Sequence, residues 1–284
     1  KSLRENFVAT REDYAQWQPP AYTNGNGNGN GNGTAAISKG IEQWTERDGN
    51  TWYIPRIDWR GAGLRDDVNQ YEITVKLFLL PNTSVSAREQ YIHESLALVM
   101  KELNIKSIDL LVVSFPGMSF EGNCEWEADK LNAQQGNIEE EVATWKVLEK
   151  LQSDCIVGQL GVSEFGSEKL RAFIQQTTIP PAVDQINLRD CCSVPPPLKQ
   201  LAEEKRIELN VHTDCTDILP PGTLREMLSH GPQGAGILAD ADHKGDGVQG
   251  ELTPQWVVRY MAFVRDRGVI ENKGYFAGAE LQEN

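Results

Sequence analysis

Two strand-like runs carry residues whose types and positions suggest chemistry. SIDLLVVSFPG, residues 107–117, reads as a buried strand that runs out into a loop, with Ser114 where its carboxyl end meets solvent. ITVKL places Lys76 near the end of a second apolar run. In a barrel of alternating strands and helices, the carboxyl ends of the strands hold the catalytic groups. A plain serine is an odd occupant of such a place, and no motif sets a base beside it. A lysine at a strand end usually points to solvent or pairs with a nearby acid.

Three other stretches imitate sites. DADHKGDGVQGE, Asp240 to Glu251, puts Asp240, Asp242, Gly245, Asp246 and Glu251 at positions one, three, six, seven and twelve of a calcium loop. Lys244 stands at position five, where an oxygen ligand is needed, and Gly247 at position eight, where an apolar residue belongs. The expectation is a solvated acidic loop and no metal. Cys191 and Cys192 are adjacent, and neighbouring thiols close into a disulfide only across a strained peptide, so reduced thiols are expected. His93 lies in a helical stretch and His212 ends a strand near Asp214, and both read as structural or surface groups.

Bulk properties narrow the function classes. The formal net charge is −14 over 284 residues, which argues against a broad basic face for nucleic acid or an anionic membrane. No apolar run is long enough to span a membrane. The five cysteines are odd in number and scattered, with no CxxC pair, which reads as a reducing compartment, the cytosol, rather than a disulfide framework.

The elements that would position these residues alternate. NGNGNGNGNG at 24–33 reads as a flexible loop after a helical stretch in which Phe7, Tyr14 and Trp17 recur near helical spacing. From residue 52, strands are expected at WYIPRID, YEITVKLFLL, IDLLVVSF, CIVGQLGV, AVDQINL and RIELNVH. Helices are expected between them at SAREQYIHESLALVMKEL, EEEVATWKVLEKLQ and SEKLRAFIQQ, the last capped by Ser167. TPQWVVRYMAFV reads as a further helix, with Thr253 as cap and Pro254 in the first helical position. This order predicts a parallel α/β fold, and the lack of a GxGxxG or GxxxxGK[ST] after a strand disfavours the doubly wound nucleotide binders.

Several of these stretches resemble the aldo-keto reductase superfamily. The carriers are ITVKL, SIDLLVVSFPG, IVGQLGVSEFGSEKLRAF with its GVSNF-like core, PPAVDQINL, and the late WVVRYMAFVRDRGVI. The resemblance implies a single (β/α)8 TIM-type barrel over residues 1–284, lacking or truncated in its first strand. AVDQINLRDCCSVPPPLKQLAEEKRIELNVHTD and TPQWVVRYMAFVRDRGVIENKGYF resemble one branch of it more closely, the regulatory subunits of glutamate–cysteine ligase.

Reductases of the superfamily use a tyrosine proton donor, a lysine that lowers its pKa, a supporting aspartate and a histidine. Only Lys76 matches. Ser114 stands at the histidine position, the residue five after Asp58 is Gly63, and no tyrosine lies from there to Gln70. The resemblance places vestigial cofactor contacts at Lys76, Ser163, Gln185 and Lys273, with Glu164 where an asparagine is usual. It implies no catalytic residue of its own, no required cofactor, and a heterodimer with the catalytic subunit of glutamate–cysteine ligase. The expected effect is higher glutamate affinity and resistance to glutathione feedback in glutathione biosynthesis. Trp256, Arg259, Tyr260, Tyr275 and Phe276 are the expected interface. The alternative is a divergent NADPH-dependent aldo-keto reductase, or an NADPH sensor.

Overall fold

The structure is a computed structural model that describes residues 2–16, 42–188, 193–215, 217–230, 234–239 and 248–282. The Asn/Gly run at 24–33, Trp17, the Cys191–Cys192 pair and most of the calcium-like loop lie outside the described residues. The chain forms two compact units, one of Lys1–Gly61, Pro220–Leu252 and Leu281–Asn284, the other of Ala62–Leu219 and Thr253–Glu280. The first begins with helix α1 (Ser2–Gln16), which buries Phe7, followed by the short antiparallel pair β1 (Glu46–Asp48) and β2 (Thr51–Tyr53).

The second unit holds the alternation that the sequence predicts: β3 (Tyr71–Leu79), α2 (Val85–Leu103), β4 (Ile108–Ser114), α3 (Glu125–Asn132) and α4 (Ile138–Ser153). It continues through β5 (Val157–Ser163), α5 (Ser167–Ile174), β6 (Val183–Asn187), α6 (Pro196–Lys205) and β7 (Glu208–His212). In the first unit, α7 (Thr223–Leu228) is tied to α1 by an Arg4–Glu226 ion pair of 3.1 Å. Two long strands, β8 (Glu251–Val264) and β9 (Val269–Gln282), finish the described chain.

Strands β3 to β7 are parallel neighbours in chain order, as successive strand–helix units require. Strands β3 and β4 read as near-continuous apolar runs because both faces are covered, whereas β7, at the end of the order, leaves Val211 exposed. One face joins Ile73, Val75, Leu77, Leu111, Val113 and Val162 to Leu96 and Val99 of α2, Trp145 of α4 and Phe173 of α5 in a single core. Local signals hold the helices in place. Asn137 caps α4 by accepting Glu140 N–H at 3.2 Å, and three glutamates follow in its first turn, where the helix dipole favours them. Helix α5 is capped differently from the sequence expectation. Gly166 is its N-cap and Ser167 its first residue, and the free amides are taken from outside by Asp129 Oδ1 (Ser167 N, 2.6 Å) and Asn132 Oδ1 (Gly166 N, 2.6 Å).

TPQWVVRYMAFV is not a helix. It forms β8, antiparallel to β3 from Tyr71↔Val264 to Leu79↔Trp256, and the sheet runs β7-β6-β5-β4-β3-β8-β9 without closing into a barrel. The misreading has a physical source. Trp256, Tyr260 and Val264 are four apart, a spacing that lies on one face of a helix and also on one face of a strand. Val258 and Ala262 decide between the two, because they are buried in the same core, which makes the period two. β-branched and aromatic residues supply the strand preference, and β3 supplies the pairing partner.

Close packing of β9 on β8 gives a test of this hairpin. A Cβ at Gly278 would lie 2.2 Å from the Trp256 ring, and one at Gly274 would lie 2.3 Å from the Tyr260 hydroxyl. Gly278→Ala is therefore expected to destabilise the protein by about 1–3 kcal/mol through overpacking. Equilibrium urea unfolding measures it, and an unchanged or raised stability would rule the hairpin packing out.

Candidate functional site

At the carboxyl ends of the parallel strands, on the sheet face opposite the main core, charged side chains from four elements converge. Lys76 of β3 is 1% exposed, and its Nζ lies 2.9 Å from Asp214 Oδ2, just past the end of β7. Arg259 of β8, the cross-strand neighbour of Lys76, gives Nη1 to the other oxygen, Asp214 Oδ1. Two cations thus share one carboxylate. Burial raises the Asp214 pKa, but Lys76 and Arg259 together outweigh it and hold the carboxyl below its ordinary value. Lys76 is pulled below the usual lysine range, because loss of solvent outweighs the attraction of Asp214.

His212 sits against the same carboxylate. His212 Nδ1 lies 3.2 Å from Asp214 N and 3.3 Å from Asp214 Oδ2, and Nε2 lies 2.6 Å from Glu164 Oε1. Ser163 Oγ is 3.3 Å from the same nitrogen. Glu164 is the nearer partner of that nitrogen, and Ser163 meets it only as a second, longer contact. Glu164 holds a left-handed backbone, φ +64°, unusual for a residue with a Cβ. Four hydrogen bonds hold it there: its N–H to Gln185 O (2.8 Å), its carbonyl from Asn132 Nδ2 (2.6 Å), its Oε2 from Asn187 N (3.4 Å), and the His212 contact. Asn187 Nδ2 also donates to Asp214 O at 3.0 Å, which binds both carboxylate-bearing segments to β6.

The cleft framed by Lys76, Ser114, Ser163, Glu164, His212 and Cys215 is little larger than a water molecule. No tyrosine lines it among the described residues. Tyr71, Tyr91 and Tyr260 belong to the opposite core, where Tyr71 donates to Glu271 and Tyr91 to Glu280. Burial, with Glu102 close by, pushes Tyr260 up to about 12, far from a proton donor's working range.

The residues singled out from sequence are dispersed. Ser163 and Gln185 are register partners on β5 and β6, and Ser163 Oγ donates to Gln185 O at 3.4 Å. Lys273 is exposed on β9, with β4, β3 and β8 between it and β5. Trp256 and Tyr260 are buried, Phe276 stacks on Tyr260 with ring centroids 6.0 Å apart, and Tyr275 is exposed. Arg259 is engaged by Asp214. His212 and Glu164 form the centre of the cluster, a role the sequence reading did not give them.

A family model for the aldo/keto reductase family matches residues 58–231, more than half of the chain and the whole run from before β3 to past β7. The chain belongs to the aldo/keto reductase family. It is 29% identical over 227 residues to a fission yeast (Schizosaccharomyces pombe) protein named putative glutamate–cysteine ligase regulatory subunit, across 75% of this chain and 73% of that one. It is 24% identical over 215 residues to the human glutamate–cysteine ligase regulatory subunit, across 76% and 68%. Among solved structures it is similar to the aldose reductase of Schistosoma japonicum, 22% identical with a TM-score of 0.37, over 54% of this chain and 49% of that one.

Reductases of this family use a nicotinamide dinucleotide, and the residues here do not fit that group. Of the four contacts, Lys76 is held by Asp214, Lys273 lies across the sheet, and only Ser163 and Gln185 are adjacent. The buried Gln185 Oε1 lacks a hydrogen-bond partner among the described residues and is an acceptor left for an amide. Beside it, Glu164 sets a carboxylate next to any phosphate-bearing ligand. The charged groups of the cluster are met by one another.

Asp214→Asn tests that assignment. It leaves two cations sharing a neutral amide, and breaking a buried pair costs about 3–5 kcal/mol. Because the folded pKa of Asp214 lies below 3.8, its contribution is present above that value and is lost as pH falls through the folded one. Urea midpoints of wild type and variant should therefore differ by a constant amount near neutrality and converge below about pH 4. An equal gap at pH 7 and pH 2 would contradict the ion pairing.

Proposed function

We propose that this chain is a non-catalytic regulatory subunit that binds the catalytic subunit of glutamate–cysteine ligase in the cytosol and acts in glutathione biosynthesis. Similarity to curated relatives that bear that name supports the role. The observation that carries the non-catalytic part is the lack of a tyrosine proton donor beside Lys76 among the described residues. The one tetrad-type residue is buried on Asp214, in a cleft without a tyrosine among the described residues. General acid catalysis needs a titrating group within hydrogen-bond reach of the substrate oxygen, and the lysine by itself does not supply one.

Regulation by such a subunit is a matter of differential binding. It raises the partner's affinity for glutamate, and lowers it for inhibitory glutathione, only by preferring one conformation of the partner over another. A coupling of about 1–3 kcal/mol corresponds to affinity changes of roughly 5- to 150-fold. The net charge of −14 favours a basic patch on the partner and an association rate that falls with salt.

Titration of this chain into the purified catalytic subunit, with glutamate and glutathione varied, tests the proposal. The expected outcome is a saturable fall in glutamate KM, a rise in the glutathione inhibition constant, or both, with no NADPH present. A ligase whose kinetics are unchanged at saturating chain, with no co-elution, would refute it.

A further inference from the structure

Helix α3 is fixed from beneath and left bare on top. Ala128 is fully buried, and Asp129 accepts both the amide and the hydroxyl of Ser167, at 2.6 and 2.5 Å. Asn132 donates to the carbonyls of Ser119 (2.8 Å) and Glu164 (2.6 Å). On the outward side Trp126 is 56% exposed and Leu131 47% exposed, and Trp126 is the most exposed aromatic side chain among the described residues. A helical wheel places Lys130 and Glu127 between these two. Glu127 Oε2 accepts from Asn123 N and Nδ2, at 2.9 and 2.8 Å, so the entering loop is fixed as well.

A rigidly mounted, solvated indole is costly for the free chain and well suited to binding. Buried aromatic anchors dominate interface energies, and a pre-ordered helix has little entropy left to lose. The charge around the indole is specific. Four acids, Glu121, Glu125, Glu127 and the buried Asp129, stand within five residues of Trp126, against Lys130 alone, in a chain of net charge −14. An indole face attracts cations, and neighbouring carboxylates complete a cradle for one.

We infer that the outward face of α3 is a docking surface for a basic segment of the partner, with an arginine or lysine laid over Trp126 and paired with Glu125 and Glu127. The inference rests on the regulatory-subunit reading, in which that segment belongs to the ligase catalytic subunit. The surface also has a route inward. Asn132 joins α3 to the carbonyl of Glu164, whose side chain holds His212, so a partner on α3 bears directly on the charged cluster.

The test is the affinity of the full chain and three surface variants for the purified catalytic subunit, at low and high salt, with thermal melts as a control for folding. Trp126→Ala is expected to weaken binding about tenfold or more. Glu125→Lys should weaken binding and Lys130→Glu should tighten it, both effects shrinking at high salt. A folded Trp126→Ala variant that binds as well as wild type overturns the inference and leaves the regulatory role standing. So does a pair of charge reversals that move affinity in the same direction. Failure of the unmodified chain to bind overturns both.

Discussion

The carboxylate of Asp214, held between Lys76 and Arg259, is the interaction on which the larger unit depends. Asp214 follows β7, at one end of the strand order, while Lys76 and Arg259 stand on β3 and β8. The strands β4, β5 and β6 lie between them, and the partners Lys76 and Asp214 are 138 residues apart in the chain. A lysine with 1% exposure is tolerable only if its charge is met, and no acid adjacent in sequence meets it. The sheet must therefore curl far enough for the end of β7 to reach across to β3. In a sheet whose strands do not close into a barrel, this ion pair does part of the work that hydrogen bonding around a full barrel would do.

The same constraint accounts for the chemistry. A lysine in this family's reductases is supported by an aspartate and serves a tyrosine, whereas here it is paired with a carboxylate that also binds Arg259, in a cleft that no tyrosine lines among the described residues. Lys76, Arg259, His212, Glu164 and Asp214 all find partners among themselves, which ties the charged groups together and leaves little to offer a substrate. Removing one member would leave an unmet charge behind, so the cluster behaves as a unit. A cluster tied together in this way suits a subunit that acts by binding, since a partner's conformational preference is shifted most by a surface that does not itself yield.

Much of this was legible in the sequence. Strands β3 to β7 and helices α2, α4 and α5 follow from apolar runs and helical spacing, because local period and burial agree there. The hairpin was not legible, since Trp256, Tyr260 and Val264 satisfy both periods and only pairing with β3 breaks the tie. The cap of α5 was hidden for a related reason: its acceptors, Asp129 and Asn132, come from another helix. At the site, Lys76 was visible as a strand-end cation, expected either to point to solvent or to pair with an acid. Which acid it was depended on the curl of the sheet. The HTD segment placed His212 beside Asp214, but nothing local linked either to Glu164 or Arg259.

The most direct test of whether the cluster is structural rather than catalytic is carbonyl-dependent NADPH oxidation, measured with wild type and Lys76→Met over a panel of aldehydes and ketones. Both proteins are expected to show no turnover above the uncatalysed background. Turnover by wild type that Lys76→Met abolishes, with the variant still folded, would show that Lys76 does chemistry and would contradict the reading of the cluster as a clamp.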